Sequence, residues 1–73
     1  MPTIQRQFSY ERLRAARKNA DWSREDLAFA LNCTVQTVTN WEIGYATPYL
    51  KRLTEISVLL ETDLFDFFEV VDD

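Results

Sequence analysis

The apolar positions of this sequence recur three and four residues apart over much of its length, as they do along a helix with one buried face. The pattern predicts a helix from Tyr10 to about Asn19 and another from Tyr49 to Leu60. Their buried faces are expected to carry Tyr10, Leu13, Ala16 and Ala20 in the first of them, and Leu50, Leu53, Ile56 and Leu60 in the other. Between them, residues 22–44 predict two shorter helices joined by a tight turn. The periodicity therefore indicates an all-α fold.

Residues that favour helix ends stand at the boundaries of these patterns. A Ser, Thr or Asp before a helix accepts a hydrogen bond from a free N–H group of the first turn. Residues of this kind stand before four predicted helices, at Ser9, Ser23, Thr34 and Asp63. Asn32 tolerates the left-handed conformation in which helices end, and Gly44 ends the next helix. These signals predict a second helix that begins at Ser23, a third at about Val35 to Ile43, and a short fifth helix from Leu64 to about Phe68.

A helix, a turn of about three residues and a second helix make a helix-turn-helix unit. The residues that define the pattern here are Arg17, Trp22, Ser23, Leu27, Ala28, Leu31, Thr34, Val38, Trp41, Glu42, Gly44 and Pro48. With these residues at these spacings, the sequence resembles the lambda-repressor-like (Cro/repressor type, XRE) helix-turn-helix family from about Tyr10 to Phe68. The resemblance implies a compact five-helix domain with the helix-turn-helix at helices two and three. It also implies DNA binding, although the same fold serves in protein–protein roles.

Length and composition place the chain in one small domain of 73 residues, of which 47% are apolar. We predict a flexible N-terminal arm at residues 1–8, the helix-turn-helix domain at 9–69 and an acidic tail at 70–73. Within the arm, Arg6 is expected to lie in a disordered terminus, with a groove-reaching role as the alternative. No apolar run reaches membrane-spanning length and no signal-peptide pattern opens the chain. We therefore expect a soluble, cytoplasmic protein without a membrane partner.

The charge is unevenly distributed along the chain, whose net charge is −4 and whose pI is about 4.6. Residues 1–24 hold six basic and two acidic residues, whereas residues 25–73 hold two basic and ten acidic ones. A DNA phosphate responds to the local field within about 8–10 Å rather than to the total charge. A basic edge on an acidic body is therefore compatible with DNA binding.

The predicted third helix carries the candidate base-reading residues. If Val38 and Trp41 face the core, the residues that project outward are Val35, Gln36, Thr39 and Asn40. Gln and Asn bond bidentately to adenine, and Val or the Thr methyl group contacts the thymine methyl group. All four side chains are uncharged, whereas a merely solvated helix face more often carries Lys and Glu. We therefore predict that this face reads bases in the major groove.

The resemblance also implies residues that contact the DNA backbone and one structural ion pair. Arg24 stands where the family usually has a Gln that contacts phosphate at a helix N-terminus, with an ordinary surface Arg as the alternative. The full set of predicted backbone contacts is Arg24, Thr34, Tyr45, Thr47 and Lys51. The loop after the third helix departs from the family because it holds no basic residue. The family pairing of an Arg with a Glu implies that Arg17 pairs with Glu42, the alternative being two solvated charges.

The C-terminal segment LFDFFEVVDD holds more aromatic surface than one short helix can bury. Leu64 and either Phe67 or Phe68 are expected in the core, and Phe65, the other Phe, Val70 and Val71 are left for a partner. The predicted dimer or partner surface consists of Phe29, Phe65, Phe68 and Val70. Two alternatives are that the tail packs on its own domain and that Phe29 is a scattered exposed aromatic residue.

The residues favour a sequence-specific DNA-binding regulator. The family resemblance implies a repressor type, a phage or bacterial origin, and a homodimer that binds a palindromic operator. The alternative is a protein-binding regulatory module, antirepressor-like or antitoxin-like, which uses the same fold without DNA. The net charge, the uncharged loop and the aromatic tail favour that alternative. An enzyme is not expected, because the sequence has no His, no Ser–base or Cys–base pairing and no Gly-rich phosphate loop. No metal or cofactor is expected, and Cys33 is interpreted as a small buried hydrophobe.

Overall fold

The computed structural model of the chain describes the backbone of residues 4–72 and the side chains of residues 6–71. Along this part of the chain the elements are β1 (Ile4–Phe8), α1 (Tyr10–Asn19), α2 (Arg24–Leu31), α3 (Val35–Glu42), α4 (Leu50–Leu59), a 3-10 helix (Leu64–Phe67) and β2 (Phe68–Asp72). The two strands pair with each other and form a small antiparallel sheet. The described fold is therefore mostly helical.

Capping hydrogen bonds account for the positions at which the helices begin and end. The Ser23 hydroxyl accepts from the Asp26 N–H at 3.0 Å, and the Asp26 carboxylate accepts from the Ser23 N–H at 3.0 Å, which completes a capping box. The α2 helix ends at Asn32, whose φ of 56° is the expected left-handed conformation. Helix α4 begins at Leu50, one residue later than predicted, because Tyr49 is extended and occupies the N-cap position.

One hydrophobic core lies between the four helices and the 3-10 helix. Its buried apolar residues are Leu13, Leu27, Ala28, Leu31, Val38, Trp41, Leu53, Ile56, Leu60 and Phe67. Phe67 is therefore the tail residue that fills the core, while Phe68 is half-buried. Two residues predicted for buried faces are instead exposed, Tyr10 by 39% and Leu50 by 65%. Each is the first residue of its helix, so each lies beyond the edge of the core.

Both ends of the described chain are strands, and this corrects two predictions. The flexible arm predicted for residues 1–8 is wrong for Ile4–Phe8, and the fifth α-helix is a four-residue 3-10 helix that leads directly into β2. The strand register places Phe8 opposite Phe68 and Ile4 opposite Asp72. Phe68, Val70 and Val71 are aromatic and β-branched types that favour strands, but the pairing partner lies some 60 residues earlier in the chain. The remainder of the predicted arm, residues 1–3, and Asp73 of the predicted tail lie outside the described residues.

The two strands, which we call the ribbon (Ile4–Phe8 and Phe68–Asp72), are fixed to the helical domain at one end. The Ser9 N–H donates to the Phe67 carbonyl at 2.8 Å, directly after β1. The Phe8 and Phe68 rings meet edge to face with centroids 6.3 Å apart, and both rings pack against the core. On the same face of the ribbon, the Arg6 guanidinium lies 5.2 Å from the centre of the Phe65 ring. Arg6 is thus part of an ordered strand rather than of a loose terminus.

Candidate nucleic-acid interface

The α2 and α3 helices pack closely and are joined by a short turn, which fixes the direction of α3. Leu27 and Leu31 of α2 are buried in the same core as Val38 and Trp41 of α3. In the turn, the Cys33 N–H donates to the Ala28 carbonyl at 2.9 Å. The opposite side of α3 is consequently the side that is left for solvent or a ligand.

Cys33 is half-buried in this turn and packs against the core. Burial raises the pKa of its thiol, and the positive charge of Arg52 only partly opposes this effect. A raised pKa disfavours the thiolate, so the side chain has the character of a small hydrophobe rather than that of a nucleophile.

The predicted base-reading residues lie together on the outer side of α3. Val35 and Gln36 are exposed, and Thr39 and Asn40 are half-buried. The Gln36 amide nitrogen donates to the Asn40 side-chain oxygen at 2.9 Å. Within the described residues, the side-chain oxygen of Gln36 and the side-chain amide nitrogen of Asn40 form no further hydrogen bond. The pair therefore presents one free acceptor beside one free donor.

The residues that flank α3 are placed by its two ends. Thr34 is the N-cap, where its hydroxyl accepts from the Thr37 N–H at 3.1 Å and also bonds to the Thr37 hydroxyl at 2.9 Å. Beyond the C-terminus of α3, the Tyr45 N–H donates to the Asn40 carbonyl at 2.9 Å. The side chains of Tyr45, Thr47 and Lys51 are exposed, as surface contacts to DNA require.

Gly44 is needed for the turn that follows α3. Its φ of 83° is a conformation that residues with a side chain rarely adopt. A Cβ atom at this position would also lie 3.0 Å from ring atoms of Tyr10. Gly44 therefore allows the loop after α3 to pass close to the start of α1.

Arg17 and Glu42 form a buried ion pair between α1 and the end of α3. Arg17 Nε donates to Glu42 Oε2 at 2.7 Å, and Arg17 Nη2 donates to Oε1 at 2.9 Å. The remaining Nη1 of Arg17 donates to the Trp22 carbonyl at 2.8 Å. Glu42 is fully buried and Arg17 nearly so. The pair therefore fixes the C-terminal end of α3 against α1 and the chain that leads into α2.

Arg24 joins this pair, which the sequence did not indicate. Its Nε donates to Glu42 Oε1 at 3.0 Å, so one carboxylate accepts hydrogen bonds from two guanidinium groups. Burial alone would raise the pKa of Glu42, but the hydrogen bonds from Arg17 and Arg24, together with their charges, outweigh it and lower that pKa. The side chain of Arg24 is one-third exposed, and its two Nη groups make no hydrogen bond within the described residues. Arg24 is therefore held by Glu42 and still open to a ligand.

The sequence model of the helix-turn-helix family, of the XRE or lambda-repressor-like type, matches residues 13–67. The chain belongs to this family. No curated protein and no solved structure gives a significant match to the chain. Membership of this helix-turn-helix family indicates a DNA-binding regulator. In this chain, α2 and α3 form the helix-turn-helix unit.

The residues predicted for a dimer or partner surface of this family member do not form one surface. Phe65 and Val70 are both largely exposed and lie at the ribbon, where Val70 is paired with Arg6. Phe68 is half-buried against Phe8 and offers little area to a partner. Phe29 lies on α2, beside Trp22 and Ala30, and is 90% exposed. The predicted set therefore divides into a ribbon surface and a separate α2 surface.

No cluster of three or more potential metal-ligating side chains occurs among the described residues. None of the helices in this part of the chain combines the length and apolar character that crossing a membrane requires.

Proposed function

We propose that this helix-turn-helix regulator binds double-stranded DNA sequence-specifically, as a repressor-type homodimer that places α3 in the major groove of a palindromic operator. The observation that carries the proposal is the uncharged outer face of α3, where Gln36 and Asn40 are joined by a hydrogen bond. Base edges in the major groove offer donors, acceptors and thymine methyl groups but no charges. A neutral face with amide groups and methyl groups is complementary to them.

In the proposed complex, Gln36 and Asn40 act as one reading unit. The free Asn40 amide nitrogen is a donor for adenine N7, and the free Gln36 oxygen is an acceptor for adenine N6. Because Gln36 already donates to Asn40, the two side chains are held in relative position before DNA arrives. Val35 and Thr39, on the same side of α3, supply methyl groups for contact with thymine.

Backbone contacts are proposed for the residues that surround α3. Arg24 lies in the first turn of α2, where free N–H groups and the helix dipole already favour a phosphate. Its unpaired Nη groups add a full positive charge there. The hydroxyl groups of Thr34, Tyr45 and Thr47, together with the exposed Lys51, complete the proposed backbone contacts. Only two of these five residues are basic, so the total electrostatic contribution to affinity is small for this family.

A homodimer is proposed because one recognition helix covers only one half-site. Helix-turn-helix dimers bind half-sites whose centres lie about one turn, roughly 34–36 Å, apart. The ribbon surface, formed by Phe65 and Val70, is the proposed dimer contact, because it is the exposed apolar part of the ordered tail.

The second candidate function is a protein-binding regulatory module that uses this fold without DNA. The net charge of −4 and the absence of basic residues in the loop after α3 favour it. So does the exposed Phe29, which has no role in the proposed DNA complex. The neutral face of α3 favours DNA, because a protein-binding helix would bury more aromatic or aliphatic area.

A mobility-shift assay against fragments of the DNA that flanks the protein's own gene tests the proposal. The wild type is expected to shift the mobility of one fragment, and the Gln36→Ala variant is expected not to shift it. Thr54→Ala is a matched control, because Thr54 is exposed on α4, outside the proposed interface. If the wild type shifts every fragment equally, or shifts none, the result would contradict sequence-specific binding at these sites.

A further inference from the structure

The outer sides of α2 and α4 carry a second exposed apolar surface, which we call the α2–α4 surface (Phe29, Ala30, Val58 and Leu59). Phe29 is 90% exposed and Val58 is 72% exposed. Two shallow depressions of about 450 and 340 Å³ lie on this surface, and Ala30 lines both of them. The surface is therefore continuous from one helix to the other and has room for side chains on either side of Ala30.

Carboxylates stand beside each apolar pair of this surface. On α2, Asp26 precedes Phe29 and Ala30 by three and four residues, which places it next to both on the helix. Glu55 has the same relation to Val58 and Leu59 on α4. Asp21 and Asp26 line the larger depression, and Glu55 lines the smaller.

A basic residue next to this surface, Arg52, is already engaged. Arg52 donates to the Leu31 carbonyl at 2.6 Å, and its guanidinium lies 3.8 Å from the Glu55 carboxylate. Arg52 therefore offsets part of the negative charge of Glu55, but it does not offset the negative charges of Asp21 and Asp26. The surface as a whole is an apolar strip with a negative border.

We propose that the α2–α4 surface is a docking site for a basic amphipathic helix of another protein. The apolar face of such a helix would cover Phe29 and Val58, and its Lys or Arg side chains would meet Asp21, Asp26 and Glu55. Helix-in-groove recognition uses apolar anchors spaced three and four residues apart, and the two depressions beside Ala30 suit such anchors. This proposal does not depend on DNA binding, because it uses none of the residues assigned to the DNA interface.

A second copy of the chain is a poorer occupant of this surface. In a two-fold interface each residue meets the same patch on the other copy. The carboxylates of one copy would then face a patch that carries the same three carboxylates, Asp21, Asp26 and Glu55, and like charges at short distance disfavour such a contact. The negative border thus selects a positively charged partner over self-association.

The test uses a synthetic helical peptide with leucine on one face and lysine on the other. Binding is measured by fluorescence anisotropy and mapped by amide chemical shifts in the ¹⁵N-labelled protein. Shift changes are expected at Phe29, Ala30 and Val58, and affinity is expected to fall as salt rises. Phe29→Glu is expected to weaken binding about tenfold or more. Phe65→Glu, a matched change of an exposed Phe at the ribbon, is expected to leave the affinity within about twofold.

Three results would overturn the proposal. The first is equal binding of a peptide of the same composition in an order that forms no apolar face. The second is a set of shift changes centred away from the α2–α4 surface, or an equal loss of affinity in Phe29→Glu and Phe65→Glu. The third is a change in the sedimentation coefficient of the free protein on Phe29→Glu, which would assign the surface to a second copy of the chain.

Discussion

Arg17 and Glu42 are joined by two parallel hydrogen bonds, of 2.7 and 2.9 Å, although 25 residues separate them in the chain. A bidentate pair of this kind has a fixed geometry, so it holds the C-terminal end of α3 against α1. Arg24 donates to the same carboxylate at 3.0 Å and connects α2 to the pair. One buried side chain, Glu42, thus links the end of α3, helix α1 and the proposed phosphate contact.

Glu42→Gln is expected to destabilise the domain by about 3–5 kcal/mol, because it leaves the buried Arg17 without a counter-charge. Urea unfolding followed by circular dichroism measures the change. Glu55→Gln is the matched control: the Arg52–Glu55 pair is 3.8 Å long and only half-buried, so its loss is expected to cost about 1 kcal/mol or less. If the melting temperature of Glu42→Gln lies within about 2 °C of the wild-type value, the Arg17–Glu42 pair does not have this structural role.

The stability of the protein is expected to fall in acid as Glu42 becomes protonated. The folded-state pKa of Glu42 is lowered, so its contribution is complete above the ordinary Glu pKa, about 4.3, and is lost as pH falls through the folded-state value. A carboxyl-carbon NMR titration measures that value directly. A Glu42 pKa at or above the ordinary Glu value, about 4.3, would contradict the described balance between burial and hydrogen bonding.

Base reading and backbone contact are expected to respond differently to mutation. Gln36→Ala should reduce the preference for the selected operator over a scrambled one by ~1–3 kcal/mol, because it breaks the bidentate contact that Gln36 and Asn40 are proposed to make together with one base. Arg24→Ala should weaken binding to both DNAs about equally and lower the salt slope by about one per contact, or two per dimer. Salt titrations of fluorescence anisotropy measure both quantities.

Two controls separate these effects from stability. Lys51→Ala removes an exposed proposed phosphate contact without disturbing Glu42, so it should lower the salt slope as Arg24→Ala does. Arg24→Lys retains the charge and should retain most of the slope. A Gln36→Ala variant that weakens both DNAs equally would show that Gln36 does not read bases.

The ribbon surface is expected to mediate assembly. Phe65→Glu places a carboxylate in the proposed apolar dimer contact and should shift the protein toward monomer in analytical ultracentrifugation. Phe29→Glu makes the same change on the α2–α4 surface and should leave the distribution unchanged. A wild type that remains monomeric at several hundred micromolar would remove the basis for a ribbon-mediated dimer.

The helices could be predicted from the sequence because their signals are local. Ser23 and Asp26 stand three residues apart, and Asn32 ends α2 by its own backbone preference. The ribbon could not be predicted in the same way. Its strands lie at opposite ends of the described chain, and neither Ile4–Phe8 nor Phe68–Asp72 is long enough to reveal a partner by its own pattern. Strand pairing is a tertiary contact, and periodicity carries no information about it.

The candidate site also has features that local sequence signals predict and features that depend on tertiary packing. The outward positions of α3 follow from helical periodicity once Val38 and Trp41 face the core, and the pairing of Arg17 with Glu42 followed from the family resemblance. The additional hydrogen bond from Arg24 to Glu42 had no signal in the sequence, because it depends on how α2 and α3 pack. The hydrogen bond between Gln36 and Asn40 could have been predicted from the sequence, since the two residues are four apart on one helix.

Selection from a random double-stranded DNA library at about 50 mM salt tests the central claim most directly, because it assumes no operator in advance. Enrichment of one palindromic sequence is predicted, with adenine at the positions assigned to the Gln36–Asn40 pair. A parallel selection with the double variant Gln36→Ala/Asn40→Ala should lose the preference at those positions while it retains the rest of the motif. If the wild type enriches no sequence, α3 is not a base-reading helix, and the function of the protein must be sought in protein binding.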